Sequence, residues 1–237
     1  MPTENNAHVL MLSSSRMGDE AYLEHAREMI FEHLGDEKDV LFIPFAGVTL
    51  EWDDYVEKVR QALPELSITG IHTCDAPADA VSSARAILVG GGNTFNLLNE
   101  LYKQSLLEPL QRKVSQGLPY IGWSAGSNIC GNSIRTTNDM PIVEPPSFAA
   151  LNFLSCQLNP HYTDYQPPGH NGETRDDRLF EFTRLSPETP VLAIREGTAL
   201  QYSKGRLTLL GELEGFCFSG NDKTPIAPGQ DLTHYLS

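Results

Sequence analysis

Short apolar runs alternate with amphipathic helical patterns through the first half of the chain, and few folds accommodate that alternation. Val9 to Leu12 is a run of four large apolar residues, as in a strand buried on both faces. Leu23, Ala26, Ile30 and Leu34 follow at helical spacing, with Gly35 as a stop. Val40 to Ile43 is a second buried strand, closed by Pro44. Trp52, Tyr55, Val56, Val59, Ala62 and Leu63 share one helical face, and Pro64 ends that helix. Leu66 to His72 and Ala86 to Val89 are further strands, Phe95 to Tyr102 and Leu106 to Val114 further helices, and Tyr120 to Trp123 a fifth strand. This rhythm predicts a three-layer α/β fold, a mostly parallel sheet flanked by helices. After about residue 135 the pattern changes: Pro141, Pro145, Pro146, Pro160, Pro167 and Pro168 interrupt any long element and predict ordered loop with short pieces. Ala199 to Ser203 and Leu207 to Leu210 flank Lys204-Gly205, which predicts a C-terminal β-hairpin. No linker divides the chain, so one domain over residues 1–237 is expected.

Composition narrows the function classes. Hydrophobic residues make up 40% of the 237, enough for a full core and too many for a disordered chain. Seventeen basic against 31 acidic side chains leave a formal charge of -14. That balance, with no Lys/Arg run, argues against a nucleic-acid partner and against an anionic membrane surface. No stretch of about 18 apolar residues predicts a transmembrane helix. The start lacks the basic and long apolar regions of a signal peptide. Cys74, Cys130, Cys156 and Cys217 form no C-x-x-C pair, so free thiols in a cytoplasmic protein are expected rather than zinc or a redox dithiol.

The sharpest local signal is Gly122-Trp123-Ser124-Ala125-Gly126, a G-x-S-x-G sequence where a strand ends and a helix could begin. A serine on such a turn is pushed out above the sheet. Small neighbours let strand and helix pass closely, and backbone N–H groups of the following turn face a developing oxyanion. A Gly-rich turn around a buried serine would show the same five residues. The second signal is Gly90-Gly91-Gly92-Asn93-Thr94, after a strand. It fits neither G-x-G-x-x-G nor the P-loop, which disfavours a nucleotide cradle. Glycines at the carboxyl end of a strand suit close backbone approach to a ligand, with Asn93 or Thr94 capping the next helix. A plain tight turn is the alternative.

A nucleophilic serine needs a base. Among seven histidines, His25 and His33 lie on the first helix and are expected to be solvated, and His8 and His234 are near the termini. The residues alone leave His72, His161 and His170 open.

The segments GGGNTF (90–95), IGWSAGSN (121–128), IRTTNDMPIV (134–143), LNPHY (158–162) and GETRDDR (172–178) together resemble peptidase E, the serine α-aspartyl dipeptidase family, related in fold to the class I glutamine amidotransferases. IPFAGVTLEWDDY (43–55) also looks like its N-terminal half, and the resemblance runs from about residue 8 to about residue 200. It implies a class I glutamine amidotransferase-like (flavodoxin-like) sheet, Ser124 as nucleophile and His161 as general base. Glu196 matches a glutamate that orients the histidine, and Asp139 an aspartate also credited with a catalytic role. Both positions are filled, so the orienting group stays open, with Glu196 favoured by the Ser…His…Glu order. Family members often carry proline before that glutamate. Arg195 stands there in this chain and puts a charge beside it. Arg175 matches the position that holds the substrate's aspartyl side chain, with His170 nearby, although Arg175 could instead pair with Glu173 or Asp176 on a surface helix. The N–H groups of Gly92 and Ala125 would hold the oxyanion. The implied substrate is a dipeptide beginning with aspartate, with no metal or organic cofactor. Cyanophycin-type β-Asp-Arg, or an ester, are the alternative substrates, and a non-enzymatic scaffold would need a broken triad. Monomer and homodimer both stay open.

Overall fold

The computed structural model describes residues 6–169 and 171–236. Eleven strands lie among them: β1 (His8–Leu12), β2 (Asp39–Ile43), β3 (Ser67–Gly70), β4 (Ile87–Val89), β5 (Pro119–Trp123), β6 (Gln157–Asn159), β7 (Val191–Ala193), β8 (Ala199–Ser203), β9 (Arg206–Leu210), β10 (Gly215–Ser219) and β11 (Asp222–Ile226). The helices are α1 (Arg27–Leu34), α2 (Trp52–Ala62), α3 (Pro77–Ser83), α4 (Thr94–Lys103), α5 (Leu107–Ser115), α6 (Ala125–Asn128) and α7 (Arg175–Leu185).

The main sheet runs β3-β2-β4-β5-β1-β8-β9. Its first five strands are parallel, and β8 and β9 extend it antiparallel. Side-chain alternation explains the continuous apolar runs: Val9 and Met11 of β1 enter the core under α3, α4 and α5, while Leu10 and Leu12 enter the core under α1 and α2. Both faces are covered, and burying each such side chain stabilises the fold by roughly 1.5–3 kcal/mol. The three-layer α/β expectation is therefore met. The β8–β9 hairpin also forms, and Lys204 and Gly205 both take positive φ (52° and 74°), as its two-residue turn requires.

Several elements differ from expectation. The strand expected to run to His72 stops at Gly70, where Thr73 Oγ1 donates to the Gly70 carbonyl (2.8 Å) and closes a 3-10 turn. The first helix begins later, because Leu23 takes a left-handed φ of 61° ahead of a short 3-10 turn. The stretch after residue 135 contains more than loop. Strands β6 and β7 pair in parallel and join β10 and β11 in a second sheet, ordered β11-β10-β7-β6. Pro225 sits on its edge strand β11, where a missing N–H leaves no ladder bond unmade.

His33, expected in solvent, is buried at 3% exposure. Its ring stacks on His8 (centroids 3.7 Å apart, planes within 10°), and its Nε2 has no partner among the described residues. Burial, then the neighbouring His8, push its pKa from 6.5 down to about 3. The folded ring stays neutral where the unfolded one binds a proton, so stability falls as pH drops from 6.5 toward 3. Each pH unit in that window removes up to about 1.4 kcal/mol. Urea titrations of wild type and His33→Gln should therefore show a shallower acid loss in the variant; parallel curves would contradict the assignment.

Candidate active site

Ser124 follows β5 and precedes the single turn of α6, with φ 53° and ψ -111°. Such a conformation is strained for a residue with a Cβ and is held by its surroundings. A Cβ on Gly122 would lie 2.3 Å from the Gly126 carbonyl oxygen, and one on Gly126 2.2 Å from that of Val89. Strand and turn thus cross at a distance only glycine allows. The Ser127 hydroxyl lies within bonding distance of the Leu12 (2.6 Å) and Gly122 (2.9 Å) carbonyls, and the Tyr120 hydroxyl donates to that of Gly126 (2.7 Å).

The Gly90–Gly92 turn lies alongside. A Cβ on Gly91 would meet Ser124 Cβ at 2.9 Å. Gly92 takes φ 138°, abuts the Ala46 carbonyl, and its N–H has no protein acceptor among the described residues. Trp123 Nε1 donates to the Tyr55 hydroxyl (3.1 Å), which donates to the Gly91 carbonyl (2.9 Å). The buried indole therefore ties the glycine turn to the serine turn. Asn93 caps α4 by accepting from the Asn96 N–H.

His161 lies just beyond β6 and Glu196 just beyond β7, so pairing of these strands in the small sheet sets the two side by side. His161 takes φ 54°, and its backbone N–H donates to Ser13 Oγ (2.8 Å), which donates to the Ile194 carbonyl (2.9 Å). Its Nε2 lies 2.9 Å from Ser124 Oγ and its Nδ1 2.7 Å from Glu196 Oε1. The carboxylate has only acceptors to offer, so Nδ1 carries the proton and Nε2 is left to accept from the serine. The His161 side chain is 39% exposed and thus open to an incoming substrate.

The other candidates fall differently. Asp139 does not meet His161: its Oδ2 accepts from the Thr94 N–H (2.7 Å) and Thr94 Oγ1 (2.5 Å). His72 pairs with Asp53 (2.9 Å) in a separate recess beside Trp52. His170 lies outside the described residues. Arg175 opens α7 and lines the same cavity, about 240 Å³, as Ser124, Ala125, Asp139 and His161. Its Nη1 donates to Asn159 Oδ1 (3.3 Å), and burial pushes its pKa down. The surface pairing open to it is not made. Glu173 pairs with Arg178 (3.6 Å), Asp176 is taken by Lys223 (2.7 Å) and the Tyr162 hydroxyl (2.6 Å), and no carboxylate among the described residues pairs with Arg175. Arg195 forms a two-pronged pair with Asp164 (2.9 and 2.8 Å), so its charge beside Glu196 is already matched. The guanidinium holds the Asp164 carboxyl down to about 2. Among the described residues no group of three or more His, Cys, Asp or Glu side chains is placed to hold a metal ion.

Residues 9–210 match the family model of peptidase family S51. The chain belongs to that family. It is 55% identical over 234 residues to a peptidase E of Shewanella amazonensis, covering 98% of this chain and all of the relative. It is 56% identical over 232 residues to a peptidase E of Shewanella denitrificans, covering 97% and 99%. The crystal structure of a peptidase from an acI-B1 Actinobacterium shares the fold, with TM-score 0.68 and 17% identity over 95% of this chain and 96% of that one.

This S51 peptidase also uses residues that motif reading passed over. Ser13 sits at the carboxyl end of β1, where open α/β sheets gather functional groups, and Ser13-Ser14-Ser15 after an apolar run was the available signal. Asn159 carried none beyond its neighbours, and Thr94 was read only as a candidate helix cap. The glycine crossing yields a direct test. Gly126→Ala should lower stability by about 1–3 kcal/mol through overpacking and reduce peptidase activity with it. An unchanged urea midpoint would show that the crossing is looser than described.

Proposed function

We propose that this S51 serine peptidase is a dipeptidase that hydrolyses peptides with an N-terminal aspartate, Asp-X, through an acyl-enzyme on Ser124. The observation that supports this best is His161 bridging Ser124 Oγ and Glu196, over a cavity that also holds the unpaired Arg175. Ser124 Oγ attacks the scissile carbonyl while His161 Nε2 takes its proton, and Glu196 steadies the resulting imidazolium. The N–H groups of Ala125 and Gly92 hold the oxyanion. His161 returns the proton to the leaving amine, and the C–N bond breaks. Water, deprotonated by the same imidazole, then releases aspartate.

Arg175 supplies the local positive charge that a chain of net charge -14 needs to admit an anionic side chain. Its hydrogen-bond partner among the described residues, the neutral Asn159 amide, fixes the guanidinium without neutralising it. Four unpaired cysteines fit a reducing cytoplasm, and no helix among the described residues is long and apolar enough to cross a membrane.

Turnover of Asp-Leu should vanish in Ser124→Ala with the thermal midpoint retained, and Glu196→Gln should lower kcat by about 10²–10⁴-fold. Near-normal turnover in Ser124→Ala would end the serine mechanism. Arg175→Met should weaken transition-state binding of Asp-Leu by roughly 2–5 kcal/mol and erase its advantage over Asn-Leu. A retained preference would show that another group selects the side chain, and faster cleavage of β-linked Asp-Arg or of a short ester would move the assignment to those substrates.

A further inference from the structure

The cavity holds two opposite charges that leave each other unpaired. Among the described residues no carboxylate pairs with Arg175 and no basic side chain pairs with Asp139, although both line the space in front of Ser124. Asp139 is not a loose surface acid. Its Oδ2 accepts from the Thr94 N–H (2.7 Å) and hydroxyl (2.5 Å), with Thr137 Oγ1 at 3.2 Å, while Oδ1 has no protein donor among the described residues. Thr94 is buried at 1% exposure, so the carboxylate is anchored from a fixed base. It cannot orient His161, because Nδ1 of that ring already lies 2.7 Å from Glu196. An anchored carboxylate with one free oxygen, beside a nucleophile and apart from an unpaired guanidinium, suits a ligand that carries both charges.

We infer that Asp139 is a specificity-determining residue whose Oδ1 receives the free α-ammonium of the substrate's first residue. This rests on the reading of the site as one for Asp-X peptides. In such a peptide the ammonium sits on the carbon next to the carbonyl under attack, and the side-chain carboxylate leaves the same carbon. Asp139 attracts the first and repels the second, and Arg175 does the opposite. Together they allow one orientation of the aspartyl residue, with its α-carbonyl presented to Ser124. A peptide whose chain continues on the amino side, or whose terminus is acylated, brings no ammonium to Asp139 and leaves that carboxylate without its partner. Cleavage is thereby confined to the amino-terminal bond.

The test compares Asp-Leu with succinyl-leucine, which keeps the side-chain carboxylate and the scissile bond and replaces only the ammonium by hydrogen. Wild type should favour Asp-Leu in kcat/KM by about 10–100-fold, the range of a charge-assisted hydrogen bond. In Asp139→Asn, whose amide oxygen still accepts from Thr94, the ratio should fall toward one, carried by a higher KM for Asp-Leu. Equal cleavage of the two substrates by wild type would overturn the inference without any variant. So would an Asp139→Asn enzyme that loses kcat equally on both, the mark of a relay or purely structural residue, or one that keeps the wild-type ratio. If wild type cleaves neither substrate but remains a peptidase, the Asp-X reading itself fails and this inference falls with it.

Discussion

The 2.9 Å contact between Ser124 Oγ and His161 Nε2 joins two sheets that make no strand pairing with each other. The serine comes from the carboxyl end of β5 in the large sheet, and the histidine and glutamate follow adjacent parallel strands of the small one. Their meeting depends on hydrogen bonds that cross the divide. Asn128 of α6 donates to the Leu158 carbonyl of β6 (2.9 Å), and Ser13, just past β1, accepts from the His161 backbone and donates to that of Ile194. Buried polar groups of this kind have few alternative partners, so they fix geometry more than they add net stability. The positive φ angles of Ser124 and His161 are the local strain that this scaffold holds in place.

Charge placement is the second theme. In a chain with a large negative excess, three cations near the site have different fates. Lys223 is matched by Asp176, Arg195 is matched by Asp164, and Arg175 meets the neutral Asn159 with no carboxylate paired to it among the described residues. The Arg195–Asp164 pair clasps the segment after His161 to the residue before Glu196. The charge that Arg195 places beside Glu196 is thus absorbed locally, whereas the Arg175 guanidinium faces the cavity with no carboxylate paired to it among the described residues.

What could be read from the sequence follows the range over which each signal acts. The strands of the parallel sheet were legible because burial on both faces writes a continuous apolar run, as in Val9 to Leu12. The serine turn was legible because close crossing requires glycine at both Gly122 and Gly126. Strands β6 and β7 were not, since each is three residues long and is set in proline-rich sequence; their pairing is decided by long-range packing. His33 escaped because its helical position resembles a solvent-facing one, and only the fold brings His8 against it. Bottom-up spacing left the base as one of three histidines, and resemblance singled out His161. The Ser…His…Glu order favoured Glu196 over Asp139 without deciding between them; the coordinates put Glu196 against the ring and Asp139 against Thr94.

The account stands on a single reactive hydroxyl. An aspartyl α-aminophosphonate diaryl ester, which bonds covalently only to an activated serine placed beside an oxyanion site, reports on it directly when followed by peptide mapping. One adduct per chain is predicted, on the fragment containing Ser124, and it should be slowed by a competing aspartyl dipeptide. Attachment at any other residue, or full activity in enzyme whose Ser124 has been stoichiometrically blocked, would contradict the mechanism.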